Sequence, residues 1–143
     1  MRVCLAAILC GCLSAASARD AGQWEASPSD IRAWYRDLMQ PDNPRVSCCG
    51  EADAYWADSY ESVDCTPVAD DENPFPRKDT CYLATITDTR EDGPLGRPHI
   101  PAGTKVKVPN VKLKYDRGNP TGHGVLFVNT SLNVLCYVVP GGV

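Results

Sequence analysis

An α+β domain, one amphipathic helix packed on a small antiparallel β-sheet and stapled by disulfides, is the fold class this sequence predicts. Three observations lead there. Residues 28–41 carry one helical stripe, residues 81–139 carry period-two strand patterns broken by turn residues, and eight cysteines are spread through 143 residues. A hydrophobic content of 43% with 22% charged residues belongs to a single globular domain rather than a fibre or a disordered tail.

The first eighteen residues read as an export leader, which leaves residues 19–143 as one small domain. Met1-Arg2 supplies a positive start, Val3 to Leu13 is an apolar run, and Ala16-Ser17-Ala18 forms an A-x-A cleavage site. That run is far short of the roughly 20 residues a membrane-crossing helix needs, so no transmembrane segment is expected. A competing reading takes Leu9-Cys10-Gly11-Cys12 as a lipobox, with Cys12 lipidated as the new N-terminus. Either way the expected location is outside the cytoplasm, periplasmic or extracellular.

Removal of the leader takes Cys4, Cys10 and Cys12 with it and leaves Cys48, Cys49, Cys65, Cys81 and Cys136, an odd set. Loss of Arg2 leaves 13 Lys+Arg against 18 Asp+Glu, a net charge of −5. Residues 19–92 hold 17 acids and 7 bases, whereas residues 93–143 hold 6 bases and 1 acid, so the two parts attract each other. Acidity overall argues against nucleic acid as a partner, which would call for a basic face on a basic domain.

Ser27-Pro28-Ser29-Asp30 marks a helix start: Ser27 as cap, Pro28 at the first helical position and Asp30 where a capping box wants an acid. Ile31, Trp34, Tyr35, Leu38 and Met39 then fall on one face, and Pro41 ends the run. This stripe predicts a core-facing helix. Glu51 to Ala57 fits one or two helical turns, while Tyr55 to Val63 alternates like a strand; the two readings overlap and stay open. Residues 66–79, with three prolines and the acidic run Asp70-Asp71-Glu72, predict a surface loop or arm.

Strands are predicted at Cys81–Asp88, Lys105–Val108, Val111–Lys114, Val125–Asn129 and Val134–Val139, with a Gly/Pro-rich turn from Asp92 to Pro101 and a closing hairpin through Thr130–Asn133. The lysines from Lys105 to Lys114 mark a solvent face or a protected sheet edge.

Cysteine pairing is the first chemistry to weigh, since thilols in an oxidising compartment usually bond. Neighbouring Cys48 and Cys49 are poorly placed to bond to each other and should reach different partners. Cys136 is expected to take one of them and Cys65 to meet Cys81 across the proline-rich loop; the other arrangements stay open. Zinc would want paired C-x-x-C or H-x-x-x-H spacing, absent here, and His99 and His123 are isolated. Redox chemistry lacks a C-x-x-C. A thiol hydrolase would use Cys48 or Cys49 before a short helix with His123 as base, and a metal-handling version would use the same residues. Asp88, Asp92 and Gly93 match part of a calcium loop, but Arg90 and His99 break it. Asn129-Thr130-Ser131 is a formal glycosylation sequon. No P-loop, dinucleotide fingerprint or G-x-S-x-G is present, and no cofactor is expected.

Several segments together resemble a family of small, uncharacterised exported bacterial proteins: Trp34-Tyr35-Arg36-Asp37-Leu38-Met39-Gln40-Pro41, Ser47-Cys48-Cys49, Asn119-Pro120-Thr121-Gly122, and Leu135-Cys136-Tyr137-Val138-Val139-Pro140. That family carries an S-C-C-x-x-x-D-C segment, an N-P-T-G turn and a final C-[FY]-x-x-P hairpin, and the resemblance spans most of residues 30–140. It implies export and an α+β fold without an activity. Here Ala54 follows Asp53 where the family has a cysteine, and Cys65 and Cys81 are additional, so the implied bridge pattern is rewired.

The lack of a catalytic set makes a non-enzymatic, disulfide-stabilised binding or envelope module the leading expectation, its partner a protein or an envelope component. The acidic loop 66–79 and the stripe Lys105 to Lys114 are its candidate contact regions. The alternative is the Cys-dependent hydrolase or metal-handling protein built on Cys48 or Cys49 with His123.

Overall fold

The computed structural model describes residues 27–141, so the leader, its A-x-A site and the lipobox at Cys12 lie outside the described residues. The α+β class holds, in three layers rather than two. One helix, α1 (Ser29–Asp37), covers one face of a four-stranded sheet, and a three-stranded sheet covers the other.

Sheet I has the order β1-β6-β7-β5, formed by β1 (Ala54–Trp56), β6 (Val125–Val128), β7 (Val134–Val138) and β5 (Leu113–Lys114). Sheet II has the order β2-β3-β4, formed by β2 (Ser59–Asp64), β3 (Thr80–Thr85) and β4 (Lys105–Pro109). The expected single antiparallel sheet is therefore two sheets, and sheet I is mixed, because β5 pairs with β7 in parallel.

Burial on both faces explains why β6 reads as an unbroken apolar run. Val125 and Phe127 point toward α1 and pack with Tyr35, Leu38, Cys48, Cys136 and Val138. Leu126 and Val128 point toward sheet II and pack with Tyr55, Ala84, Ile86, Val108 and Tyr137. The period-two direction of side chains puts alternate residues of each strand into two separate cores. Tyr35 and Phe127 meet edge to face at 5.9 Å, joining helix to sheet.

The helix is shorter than its stripe. Pro28 occupies the cap position without a side-chain cap bond, and the Ser27 hydroxyl donates instead to Glu51 at 3.3 Å, which corrects the expected Ser27 cap and capping box. Leu38 turns extended and Met39 bridges to Ser47, so the last apolar residue of the stripe lies in a β-bridge. Glu51–Asp53 is a single 3-10 turn that runs straight into β1, which resolves the overlapping readings of that region in sequence order. Val111–Lys114 is less regular than its alternation predicts: a 3-10 turn at Asn110–Lys112 leaves only two residues in β5. Within the predicted turn from Asp92 to Pro101 lies one short helix, α2 (Asp92–Leu95), closed by Gly96 in the left-handed region at φ 66°.

Two disulfides tie this frame. Cys48 bonds Cys136 in the core beneath α1, and Cys65 bonds Cys81 at the mouth of the segment joining β2 to β3. Cys49 lies outside both bridges, with φ 77°. No described helix is long and apolar enough to cross a membrane.

Candidate functional site

The densest group of charged side chains surrounds β1. Asp88 and Arg97 are both buried, their side chains 1% exposed, and meet at 2.6 Å; Arg97 also reaches Asp92 at 2.7 Å, and Arg90 reaches Asp88 at 2.7 Å. Burial alone would raise the Asp88 carboxyl, but hydrogen bonds from Arg90 and Arg97 and from the Arg90 and Trp56 N–H groups outweigh it and hold it far below the usual carboxylate range. His99 adds an outer contact to Asp92 at 2.5 Å.

The partners of this network show what it does. Trp56 N–H donates to Asp88, the Ala54 carbonyl accepts from Arg90 and Arg97, and the Trp56 carbonyl accepts from the Thr87 N–H. Those are the groups on the outer edge of β1, whose other edge pairs with β6. Asp88, Arg90 and Arg97 therefore plug a sheet edge with side chains, a structural duty that uses up their hydrogen-bonding capacity. The calcium reading of Asp88 and Asp92 fails for the same reason: both carboxylates are occupied by guanidinium groups.

A second cluster forms at the far end of β1. His123 stacks on Trp56 at 4.0 Å with an interplanar angle of 11°, and Arg90 lies over the Trp56 ring at 4.3 Å. His123 Nδ1 sits 3.1 Å from both oxygens of Asp58, which also accept from Thr87 Oγ1 at 2.7 Å and the Gly124 N–H at 2.9 Å. Burial pushes the Asp58 carboxyl up, and the bonds from Thr87, His123 and Gly124 more than reverse that shift, leaving it lowered. Gly124 is required here, because a Cβ at that position would overlap the Ala57 carbonyl oxygen.

An imidazole oriented by a carboxylate is half of an acid–base system, yet the expected thiol does not join it. Cys48 is bonded to Cys136, which excludes it as a nucleophile. Cys136, the bridge partner of Cys48, stands opposite Phe127, four positions along the chain from His123, a span of about 13 Å at 3.3 Å per residue. Cys49, next in the chain, belongs to the same end of the sheet. Thr87 donates to Asp58 rather than to His123. Among the described residues no group of three or more His, Cys, Asp or Glu is placed to hold a metal ion.

The lysine stripe divides into two surfaces. Lys105 and Lys107 stand on the exposed face of β4, with Lys105 2.5 Å from Glu61 across β3. Lys112 turns to Asp42 at 2.7 Å and Gln40 at 3.1 Å, and Lys114 donates to the Met39 carbonyl at 3.1 Å, so these two anchor the end of α1. A single contact surface running from Lys105 to Lys114 is thereby corrected. The attraction between the acidic first part and the basic last part is seen in contacts: Asp42–Lys112, Glu61–Lys105 and Asp88–Arg97.

The proline-rich segment is the arm expected from its composition. Val68 and Phe75 are 88% and 90% exposed, and Asp70, Asp71 and Glu72 face solvent. Its base is fixed by the Cys65–Cys81 bridge, by the Cys65 N–H to the Asp79 carbonyl at 2.9 Å and by the Asp79 N–H to Thr66 Oγ1 at 3.1 Å. Asp70 Oδ1 accepts from the N–H groups of Glu72 and Asn73, which folds the tip on itself. Asn129 Oδ1 likewise accepts from the Ser131 and Asn133 N–H groups, so the sequon asparagine spends its side chain shaping the last hairpin.

The edge plug and the Trp56–His123 stack have no periodic signature in the sequence; only the excess of acids before residue 93 facing the bases after it hinted at them. No protein-family model, curated protein or solved structure matches the chain.

Proposed function

We propose that the chain is an exported, non-enzymatic binding module that meets a protein or envelope partner through the arm 66–79. The observation that carries this reading is the arm itself: two large apolar side chains, Val68 and Phe75, stand almost fully in solvent on a segment whose base is covalently closed. Exposed apolar groups rimmed by charge on a rigid scaffold are typical of recognition surfaces. Export is supported by the leader-like start, by two disulfides and by the resemblance to small exported bacterial proteins.

A photoreactive residue at position 75 is expected to form a discrete adduct in envelope extract, and one at position 107 is not. Equal labelling at both positions, or none, ends this reading. Mass spectrometry of the mature N-terminus is expected to show cleavage after Ala18; a lipidated Cys12 would replace a released module with a tethered one. The thiol-enzyme reading rests on Cys49 alone once Cys48 is bridged, and rapid alkylation of Cys49 near neutral pH would favour it.

A further inference from the structure

A strand at the edge of a sheet offers a row of main-chain donors and acceptors to any extended segment, and folded proteins guard such edges. Among the described residues there are four. The edge at β1 is plugged by Asp88, Arg90, Arg97 and Thr87, as described above. The edge at β5 is only two residues long. The edge at β4 carries Lys105 and Lys107 and ends in Pro109, the residue types that deter strand addition.

Among the described residues the fourth edge, β2, has none of these devices. Its six residues, Ser59 to Asp64, pair with β3 in unbroken register without a bulge, and five of them are exposed. It contains no lysine and no proline. It carries two carboxylates and no base, Glu61 on one face and Asp64 on the other. It also leads directly into the arm, whose Asp70, Asp71 and Glu72 extend the same sign of charge.

We propose that the open edge of β2 receives an extended basic segment of a partner protein as an added strand. Main-chain hydrogen bonds hold the incoming strand, and alternate side chains read the two faces. On one face its basic residues meet Glu61, whose present pairing with Lys105 is exposed on both sides and exchanges readily. On the other face its apolar residues meet Tyr60, which is 40% exposed and already packed against Tyr82 and Tyr137 at 5.6 and 5.8 Å. The matching sequence alternates basic and apolar residues. This deepens the binding-module reading and rests on it, because it names the kind of partner and the surface next to the arm.

The test is amide hydrogen exchange on the exported chain titrated with a synthetic peptide of about seven residues alternating lysine and valine, a typical strand length. Alternate amides within 59–64 are expected to gain protection, while a glutamate–valine peptide of the same length gives none. Glu61→Lys places a guard on the edge and is expected to weaken the lysine–valine peptide about tenfold with an unchanged circular dichroism spectrum. Phe75→Ser is expected to leave peptide binding unchanged, which separates failure at this edge from failure of the arm. Protection along β4, protection by the acidic peptide, or no protection overturns the proposal. Concentration-dependent self-association that occupies β2 also overturns it, since the occupant would then be a second copy of the chain.

Discussion

The two disulfides do different work in two differently built regions. Cys48–Cys136 spans 88 positions of sequence and sits fully buried between α1 and sheet I, among side chains that are already close-packed. Cys65–Cys81 spans 16 positions and closes an arm whose other residues are mostly exposed. The first bridge secures a core; the second presents a surface. Loop-closure entropy predicts a larger contribution from the first, because it removes more freedom from the unfolded chain.

Replacing both Cys48 and Cys136 by alanine is expected to lower unfolding free energy by about 4–5 kcal/mol, read from urea or guanidinium denaturation. Peptide mapping should still find Cys65–Cys81 intact, and a scrambled map would mean that the two regions are not independent. Close behind comes Arg97→Ala, expected to cost about 3–5 kcal/mol because it takes the fully buried one of two guanidinium partners from Asp88 and removes the partner of Asp92 as well. The loss should appear first as faster amide exchange in β1 and leave β2 untouched. Arg97→Lys should recover little, since a single ammonium cannot reach Asp88, Asp92 and the Ala54 carbonyl together.

Alanine at both Cys65 and Cys81 is expected to cost about 3 kcal/mol and to expose the arm to trypsin at Arg77 and Lys78 while sheet I keeps its protection. Acid should separate the regions in the same direction. The Asp88 carboxyl is held well below its unfolded value, so its contribution is fully present above about pH 4 and fades as pH falls through the folded pKa. Amide protection in β1 should therefore weaken on acidification before that in β3, and Asp88→Asn should flatten the difference. Smallest of all, Phe75→Ser is expected to change stability by no more than about 0.5 kcal/mol, since the side chain is 90% exposed, and as an unlabelled competitor it should fail to suppress the crosslink formed from position 75.

What could be read from sequence follows from how local the responsible physics is. The stripe of Ile31, Trp34, Tyr35 and Leu38 and the alternation around Lys105 to Val108 are periodic, and period is visible along a chain. The Cys65–Cys81 closure follows from a short loop between two strands. The division into two sheets was not legible, because the alternation of Tyr55 to Val63 does not show that it holds two strands, one pairing with β6 and the other with β3. The early end of α1 came from a tertiary bond: the Cys48 N–H takes the Leu38 carbonyl, drawing that segment into extended form. At the candidate site, His123 was singled out for Cys48 and Cys49, yet its partners are Asp58 and Trp56, brought together by strand pairing that no spacing announces.

Sheet I also sets a timetable. Its first strand, β1, is made early, and both its neighbour β6 and the bridge partner Cys136 come near the chain's end. A chain that emerges from its N-terminus presents Cys48, Cys49, Cys65 and Cys81 to oxidants before Cys136 exists to claim its partner. Four thiols can then pair wrongly, and Cys49 stands beside the correct one as a rival. The native partner of Cys48 is thus available only once the last hairpin has been made, and any earlier bridge from Cys48 has to be exchanged before the buried Cys48–Cys136 bond can close.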